Sequence, residues 1–259
     1  MTWTEGDVEL DDVRLHYYRR GSGRPVVLAH GAGDSGLCWE RVAGVLAADY
    51  EVIAYDARHH GFSDAPEAGP LGGGGPDLIA LVQALGLQKP AIIGHSMGAG
   101  AVASAAAARP ELFRCAILED PGWRDLTPGT AIPPVPATDW QAMTLDEVIA
   151  AGKRQNPGWH EDEFPAWARS KLQYRPPRNT VPRLATDWRE TAARITIPTL
   201  LVCGGNKERG RIVTAHTAEQ AKKVCPSLEV VRFEQAGHNV RREAYDEFVA
   251  AVTAFLRQY

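Results

Sequence analysis

A serine at position 96 lies in the run Gly94-His95-Ser96-Met97-Gly98, which has the form G-x-S-x-G. Small residues at both ends of this pattern permit a strained turn that presents the serine between a strand and a helix. The apolar residues before it predict a strand, and the alanine-rich stretch from Met97 predicts a helix. We therefore interpret Ser96 as a nucleophile. The backbone NH of Met97, at a helix N-terminus that favours an anion, is expected to be an oxyanion donor.

A serine hydroxyl is a weak nucleophile and needs a neighbouring base. Among the eight histidines, His238 follows the predicted strand Leu228–Phe233 and precedes the last predicted helix. This places His238 at the same sheet edge as Ser96, so we expect it to be the general base. His59 and His60 could ligate a metal as a pair, but no third ligand is evident. We therefore predict no metal site and no other cofactor.

Short apolar runs bounded by glycine, proline or aspartate predict the strands that must position these residues. Their apolar character is continuous, which indicates strands covered on both faces. Helical segments alternate with them, so we predict a mostly parallel, doubly wound sheet flanked by helices, with an antiparallel start at Arg14–Tyr18. The predicted strands are Val26–Ala29, Glu51–Tyr55, Ala91–Ile93, Cys115–Leu118, Thr199–Cys203 and Leu228–Phe233, and the predicted helices are Trp39–Leu46, Asp77–Leu85, Met97–Ala108, Ala215–Lys223 and Ala244–Leu256.

The alternation of strands and helices is interrupted between residues 121 and 197. This interval holds ten of the 18 prolines and five of the seven tryptophans. Five tryptophans are unfavourable in water, so we predict short helices that form a lid, with the tryptophans lining an apolar pocket. The predicted organisation is a core of residues 1–120 and 198–259 with a lid of residues 121–197. The tryptophans of the lid are Trp123, Trp140, Trp159, Trp167 and Trp188.

These motifs resemble the α/β-hydrolase fold superfamily over nearly all of the chain apart from the lid. The segments similar to its oxyanion loop, its structural turn and its nucleophile elbow are His30-Gly31-Ala32-Gly33, Asp56-x-Arg58-x-x-Gly61-x-Ser63 and Gly94 to Gly98. The resemblance implies an α/β-hydrolase fold. It also implies a second oxyanion donor at the backbone NH of Ala32, paired with that of Met97. Each such NH stabilises the transition state by on the order of 3 kcal/mol.

The acid of a Ser-His-acid triad is where this sequence departs from the superfamily. Members usually place an aspartate shortly after the strand that corresponds to Thr199–Cys203. Here the loop 204–210 reads GGNKERG and contains none. Glu208 lies in that loop and is one candidate acid.

Asp120 is the other candidate acid. It follows the strand Cys115–Leu118, a place that dehalogenase-like branches of the superfamily use for the orienting acid. The alternative is a purely structural role, in which Asp120 only caps the turn before Pro121. We favour Asp120 over Glu208, because the loop 204–210 has lost its aspartate and gained two cations.

The serine at the elbow discriminates between activities of the superfamily. Haloalkane dehalogenases and epoxide hydrolases attack with an aspartate, and Ser96 cannot form their ester intermediate. We therefore predict a carboxylic-ester hydrolase, an esterase or lactonase, that forms an acyl-enzyme from a small to medium apolar ester. A carbon–carbon bond hydrolase or a thioesterase with the same triad is the alternative. A catalytically silent hydrolase-like binding protein is the alternative of another class, and the intact Ser96 and His238 argue against it.

Composition limits the partners of the protein. The 259 residues carry 28 Lys and Arg against 32 Asp and Glu, and 44% are hydrophobic, which is typical of a soluble globular chain. With no basic run and no long apolar stretch, we predict no nucleic-acid partner and no membrane span. The four scattered cysteines and the acidic start of the chain predict a cytoplasmic protein. The predicted partner is a small-molecule ester substrate, and no oligomeric state is predicted.

Overall fold

The computed structural model describes residues 2–67, 71–132, 138–176 and 185–259. Within these ranges eight strands form one sheet. The strands are β1 (Thr4–Glu9), β2 (Arg14–Arg20), β3 (Arg24–Ala29), β4 (Tyr50–Tyr55), β5 (Ala91–His95), β6 (Cys115–Glu119), β7 (Thr199–Gly204) and β8 (Leu228–Phe233).

The strands lie in the order β1-β2-β4-β3-β5-β6-β7-β8 across the sheet. β2 is antiparallel to β1 and to β4, and every other neighbouring pair is parallel. This order confirms the predicted mostly parallel, doubly wound sheet. No apolar run predicts β1, because its residues TEGDVE are mostly polar and, except for Val8, lie outside the core at the edge of the sheet.

Helices cover both faces of the sheet, which explains why β5, β6 and β7 are buried at every residue. The described helices are α1 (Glu40–Leu46), α2 (Gly74–Ala84), α3 (Met97–Ala108), α4 (Leu145–Gln155), α5 (Glu163–Gln173), α6 (Trp188–Ala192), α7 (Ala215–Val224), α8 (Val240–Glu243) and α9 (Tyr245–Gln258). Residues of α2, α3, α6 and α7 join one core cluster, and residues of α1 and α9 join a second. None of the helices in the described ranges is both long and apolar enough to cross a membrane.

Residues 121–197, called the insertion below, lie between β6 and β7. Its helices α4 and α5 enclose a small core of their own that includes Trp159, Phe164 and Trp167. Trp123 stacks on Trp188 with 5.0 Å between ring centroids, and both belong to a core of the sheet. Four of the five tryptophans are thus buried in packed clusters. Five of the prolines noted above lie outside the described residues, namely Pro133, Pro134, Pro136, Pro177 and Pro182.

Candidate active site

Ser96 occupies a sharp turn between β5 and α3. Its backbone has φ +52° and ψ −110°, in the left-handed half of the map that side chains rarely adopt. The turn needs glycine at both ends: a Cβ on Gly94 would lie 2.4 Å from the Gly98 carbonyl, and one on Gly98 would lie 2.2 Å from the Ala29 carbonyl oxygen. Such local strain is typical of a residue placed for function rather than for stability.

The structure brings Ser96, His238 and Asp120 together. His238 Nε2 lies 3.0 Å from Ser96 Oγ, and His238 Nδ1 lies 2.6 Å from Asp120 Oδ2. The carboxylate accepts a hydrogen bond from Nδ1–H, which leaves Nε2 as the acceptor for the serine hydroxyl. Asp120 is fully buried, whereas the side chain of His238 is 25% exposed. The imidazole therefore lies between a sequestered carboxylate and a hydroxyl that a substrate can reach.

Asp120 is held in place by the loop that follows β7. Its Oδ2 accepts a hydrogen bond from the backbone NH of Ile212, and its Oδ1 accepts one from Val213, both at 2.9 Å. Its own NH donates to the Val202 carbonyl oxygen at 2.9 Å. The carboxylate is thus oriented by two backbone donors and by His238. It does not act as a cap for the turn before Pro121.

Glu208, the alternative acid, has a different environment. Its side chain is exposed and makes no hydrogen bond to any described residue. The loop around it instead supplies backbone groups. Asn206 Oδ1 accepts from the NH groups of Glu208 and Arg209, and the Arg209 carbonyl oxygen accepts from the NH of His238 at 3.0 Å. The loop therefore supports His238 without contributing a carboxylate.

His95 supports His238 from the opposite side. Its Nε2 donates to the His238 carbonyl oxygen at 3.0 Å. Burial, together with the charges of Arg241 and His238, holds the pKa of His95 well below its usual range. The ring is therefore neutral, with its proton on Nε2. Nothing in the spacing of residues 95 and 238 signals this contact.

The segment that resembles an oxyanion loop runs beside Ser96. A Cβ on Gly31 would lie 2.6 Å from His95 Nδ1, so the loop packs closely against the elbow. In the described part of the chain, neither the NH of Ala32 nor that of Met97 has a hydrogen-bond acceptor. Ala32 is exposed and Met97 is partly exposed. Both NH groups are therefore available to a ligand at Ser96.

His60 holds the oxyanion loop from the core. The NH of Gly33 donates to His60 Nε2 at 2.9 Å, and His60 Nδ1 lies 2.7 Å from the Arg58 carbonyl oxygen. Burial, with a smaller contribution from His30, lowers the pKa of His60 well below its usual range. His60 is thus a neutral bridge between two backbone segments. This contact gives it a structural role that the sequence did not indicate.

The model of the alpha/beta hydrolase family matches residues 26–251 of the chain. The chain belongs to the alpha/beta hydrolase family. This match confirms the resemblance drawn from the oxyanion-loop, structural-turn and elbow segments.

Individual relatives of this alpha/beta hydrolase differ in how much of the chain they match. The 2-(acetamidomethylene)succinate hydrolase of Mesorhizobium japonicum is 26% identical over an alignment of 266 positions, which covers 96% of this chain and 94% of that protein. The epoxide hydrolase of Caballeronia sordidicola is 36% identical over 115 residues, which cover 42% of this chain and only 35% of that protein. A solved esterase from Rhodococcus superimposes with a TM-score of 0.75 at 25% identity, covering 99% of each chain.

A buried cluster of charges joins three segments of this alpha/beta hydrolase behind the oxyanion loop. Asp34 Oδ2 accepts from Arg241 and Arg242, each at 3.0 Å, and Asp34 Oδ1 accepts from Lys171 Nζ at 2.9 Å. Burial opposes ionisation of Asp34, but the charges of Arg242, Lys171 and Arg241 outweigh it and hold its pKa well below the usual range. No sequence motif indicates this cluster, because its members are far apart in the chain.

Proposed function

We propose that this protein is a serine hydrolase that cleaves a carboxylic ester, as an esterase or lactonase, through an acyl-enzyme on Ser96. One observation carries the proposal, namely the continuous hydrogen-bonded contacts from Asp120 through His238 to a strained, accessible serine. This arrangement of roles defines the Ser-His-acid triad irrespective of chain position. The esterase from Rhodococcus, similar over 99% of the chain, supports the choice of an ester substrate.

The geometry supports the following steps. As Ser96 Oγ attacks the carbonyl carbon of the ester, its proton passes to His238 Nε2, and the negative charge on the carbonyl oxygen is stabilised by the NH groups of Ala32 and Met97. Collapse of the tetrahedral intermediate breaks the bond to the alcohol, which leaves with the proton from His238. Water then attacks the acyl-enzyme with the same base, and the acid departs as Ser96 regains its proton.

Asp120 acts on the histidine rather than on the substrate. Its carboxylate accepts a hydrogen bond from Nδ1–H and so fixes the tautomer that leaves Nε2 free to take a proton from Ser96. It also stabilises the imidazolium that forms in each half-reaction. Because Asp120 is fully buried, this charge is screened little by solvent.

We also propose that residues 1–120 and 198–259 form the hydrolase core and that residues 121–197 form its lid, which accepts a small to medium apolar ester. Lys171 and Ser170 on α5 support the lid assignment, because both side chains contact the carbonyl oxygen of Gly33 in the oxyanion loop. The insertion thus touches the segment that carries the proposed oxyanion donor.

Hydrolysis of an amide is the second candidate function. The relative from Mesorhizobium japonicum covers nearly the whole chain, and its name specifies a substrate with an acetamido group. The same serine and histidine attack an amide carbonyl in the same way. The additional demand is complete transfer of the proton from His238 to the leaving nitrogen.

The test is a hydrolysis assay on a panel of p-nitrophenyl esters, a thioester and an acetamide. Wild-type protein is compared with Ser96→Ala and with Ser104→Ala, a matched control on the same helix α3 whose hydroxyl makes no hydrogen bond to described residues. We expect Ser96→Ala to lose on the order of 10⁵-fold in kcat and Ser104→Ala to match wild type. Equal rates for Ser96→Ala and wild type contradict the proposal, and turnover of the acetamide alone replaces it with the second candidate.

A further inference from the structure

The peptide groups that follow Ala32 are held from two sides. On the core side, the NH of Gly33 donates to His60 Nε2 at 2.9 Å. On the insertion side, the carbonyl oxygen of Gly33 accepts from Lys171 Nζ at 2.7 Å and lies 3.0 Å from Ser170 Oγ. Gly33 has φ +74°, a conformation that glycine adopts without steric cost because it has no Cβ.

Lys171 is the stronger of the two donors from the insertion. Ser170 Oγ lies 2.7 Å from the Trp167 carbonyl oxygen as well, so its single proton is divided between two acceptors. The ammonium of Lys171 has three protons and binds both the Gly33 carbonyl oxygen and Asp34 Oδ1. Its side chain is only 12% exposed, and charge-assisted bonds of this kind are about twice as strong as neutral ones.

Lys171 is one of three cations that contact Asp34. Arg241 and Arg242 both contact Asp34 Oδ2 at 3.0 Å, and they also pair with Glu119 and Glu163. The Asp34 carboxylate therefore keeps two shared cationic partners when Lys171 is replaced. Among the described residues, Lys171 supplies the charged link from α5 to the Gly33 carbonyl oxygen, and a variant at this position loses that link.

We propose that Lys171 is a positioning residue that fixes the oxyanion loop, so that the insertion sets the geometry of the oxyanion hole. This inference rests on the proposed function. Loss of the Lys171 link leaves the Gly33 carbonyl oxygen with the weaker donor Ser170, and the NH of Ala32 is then held less firmly where the oxyanion develops. Because the oxyanion exists only in the transition state and the tetrahedral intermediate, the effect falls on kcat rather than on KM.

The experiment compares Lys171→Met and Lys171→Arg with Lys153→Met. Lys153 is a matched control, because it lies on α4 of the same insertion and pairs with Glu161 at the exposed surface. For each protein, kcat and KM on p-nitrophenyl acetate are measured together with the inhibition constant of phenylboronic acid, whose serine adduct mimics the tetrahedral intermediate.

We expect Lys171→Met to lower kcat by on the order of 10- to 100-fold, with KM changed by less than about threefold. The inhibition constant of the boronic acid should rise by the same factor as kcat falls. Lys171→Arg, which keeps the charge, should have a kcat and an inhibition constant between those of Lys171→Met and wild type. Lys153→Met should match wild type in every measurement.

A Lys171→Met variant with wild-type kcat and a wild-type boronic acid constant overturns the inference, and so does a change in KM alone. Ser170→Ala adds a neutral variant, for which we expect a loss of about two- to threefold because the second donor is lost. Circular dichroism establishes whether each variant is folded. If Lys171→Met does not fold, unchanged kcat in both Ser170→Ala and Lys171→Arg overturns the inference.

Labelling of Ser96 with a fluorophosphonate separates the two claims. If wild-type protein is not labelled, the proposed function fails and the role of Lys171 fails with it. If wild type is labelled and Lys171→Met is labelled at the same rate, only the inference about Lys171 fails. Slower labelling of a folded Lys171→Met supports both the proposed function and the positioning role of Lys171.

Discussion

Two neighbouring loops could have carried the acid of this site, and they differ in almost every respect. The loop after β6 presents Asp120, which is fully buried and lies 2.6 Å from His238. The loop after β7 presents Glu208, whose side chain is exposed and has no hydrogen bond within the described ranges. Instead, that second loop contributes backbone groups. The carbonyl oxygen of Arg209 accepts from the NH of His238, and the NH of Ile212 donates to Asp120 Oδ2.

In the proposed mechanism, the acid is therefore specified by its place beside the histidine rather than by its place in the chain. β6 and β7 are adjacent and parallel, so their ends are separated by only about 5 Å. A carboxylate can therefore reach His238 from either end. In this chain the loop after β7 supplies NH and carbonyl groups that orient both partners, so the two loops have complementary roles.

Neutralising Asp120 and Glu208 in turn tests which of the two carboxylates orients His238. Asp120→Asn should lower kcat by on the order of 10⁴-fold, because the amide favours the wrong tautomer of His238. Glu208→Gln is the matched control and should keep wild-type kcat. Steady-state hydrolysis of a p-nitrophenyl ester measures both. A loss in Glu208→Gln with normal activity in Asp120→Asn reverses the assignment of the acid.

Placing an aspartate in the loop after β7 tests whether that loop can supply the acid or only orients His238 and Asp120 through its backbone groups. Asn206 lies shortly after β7, but its side chain is turned toward the NH groups of Glu208 and Arg209. An aspartate there would accept the same two bonds and remain turned away from His238. We therefore expect Asp120→Asn/Asn206→Asp to stay within about tenfold of Asp120→Asn in the same assay. Recovery to near wild-type kcat would show that the two loops are interchangeable.

Two groups hold the backbone of His238, and only one of them titrates. The NH of His238 donates to the Arg209 carbonyl oxygen in the loop after β7, and the His238 carbonyl oxygen accepts from His95 of β5. In the folded state, the pKa of His95 is lowered chiefly by burial. In the unfolded chain this histidine binds a proton below about pH 6.5. The unfolded state then holds more protons than the folded state. The contribution of His95 to stability is therefore complete above that pH and decreases as the pH falls.

Urea denaturation at pH 7.5 and 5.5 measures this contribution. In His95→Gln, the loss of unfolding free energy between the two pH values should be smaller than in wild type by about 1.4 kcal/mol. His216→Gln, at an exposed position, should behave as wild type. An identical pH dependence in His95→Gln and wild type would mean that His95 has the same pKa in the folded and unfolded states, which contradicts the expectation.

The sequence predicted the regular parts of the fold because strands covered on both faces leave continuous apolar runs. The helix Met97–Ala108 agrees with the structure at both ends. β1 was missed, since an exposed edge strand needs no apolar residues. In the site, Ser96, His238 and Asp120 could be singled out because each follows a predicted strand. The contacts of Asp34, His60 and Lys171 could not, because they depend on side chains that only tertiary folding brings together.

In the proposed mechanism, Ser96 is activated by His238, and Asp120 rather than Glu208 orients the histidine. The rate of covalent labelling by a fluorophosphonate tests this mechanism directly, with the modified residue identified by peptide mass spectrometry. We expect modification at Ser96 in wild type and in Glu208→Gln at equal rates, and labelling slowed by several orders of magnitude in Asp120→Asn. Modification at another residue, or fast labelling of Asp120→Asn, would contradict it.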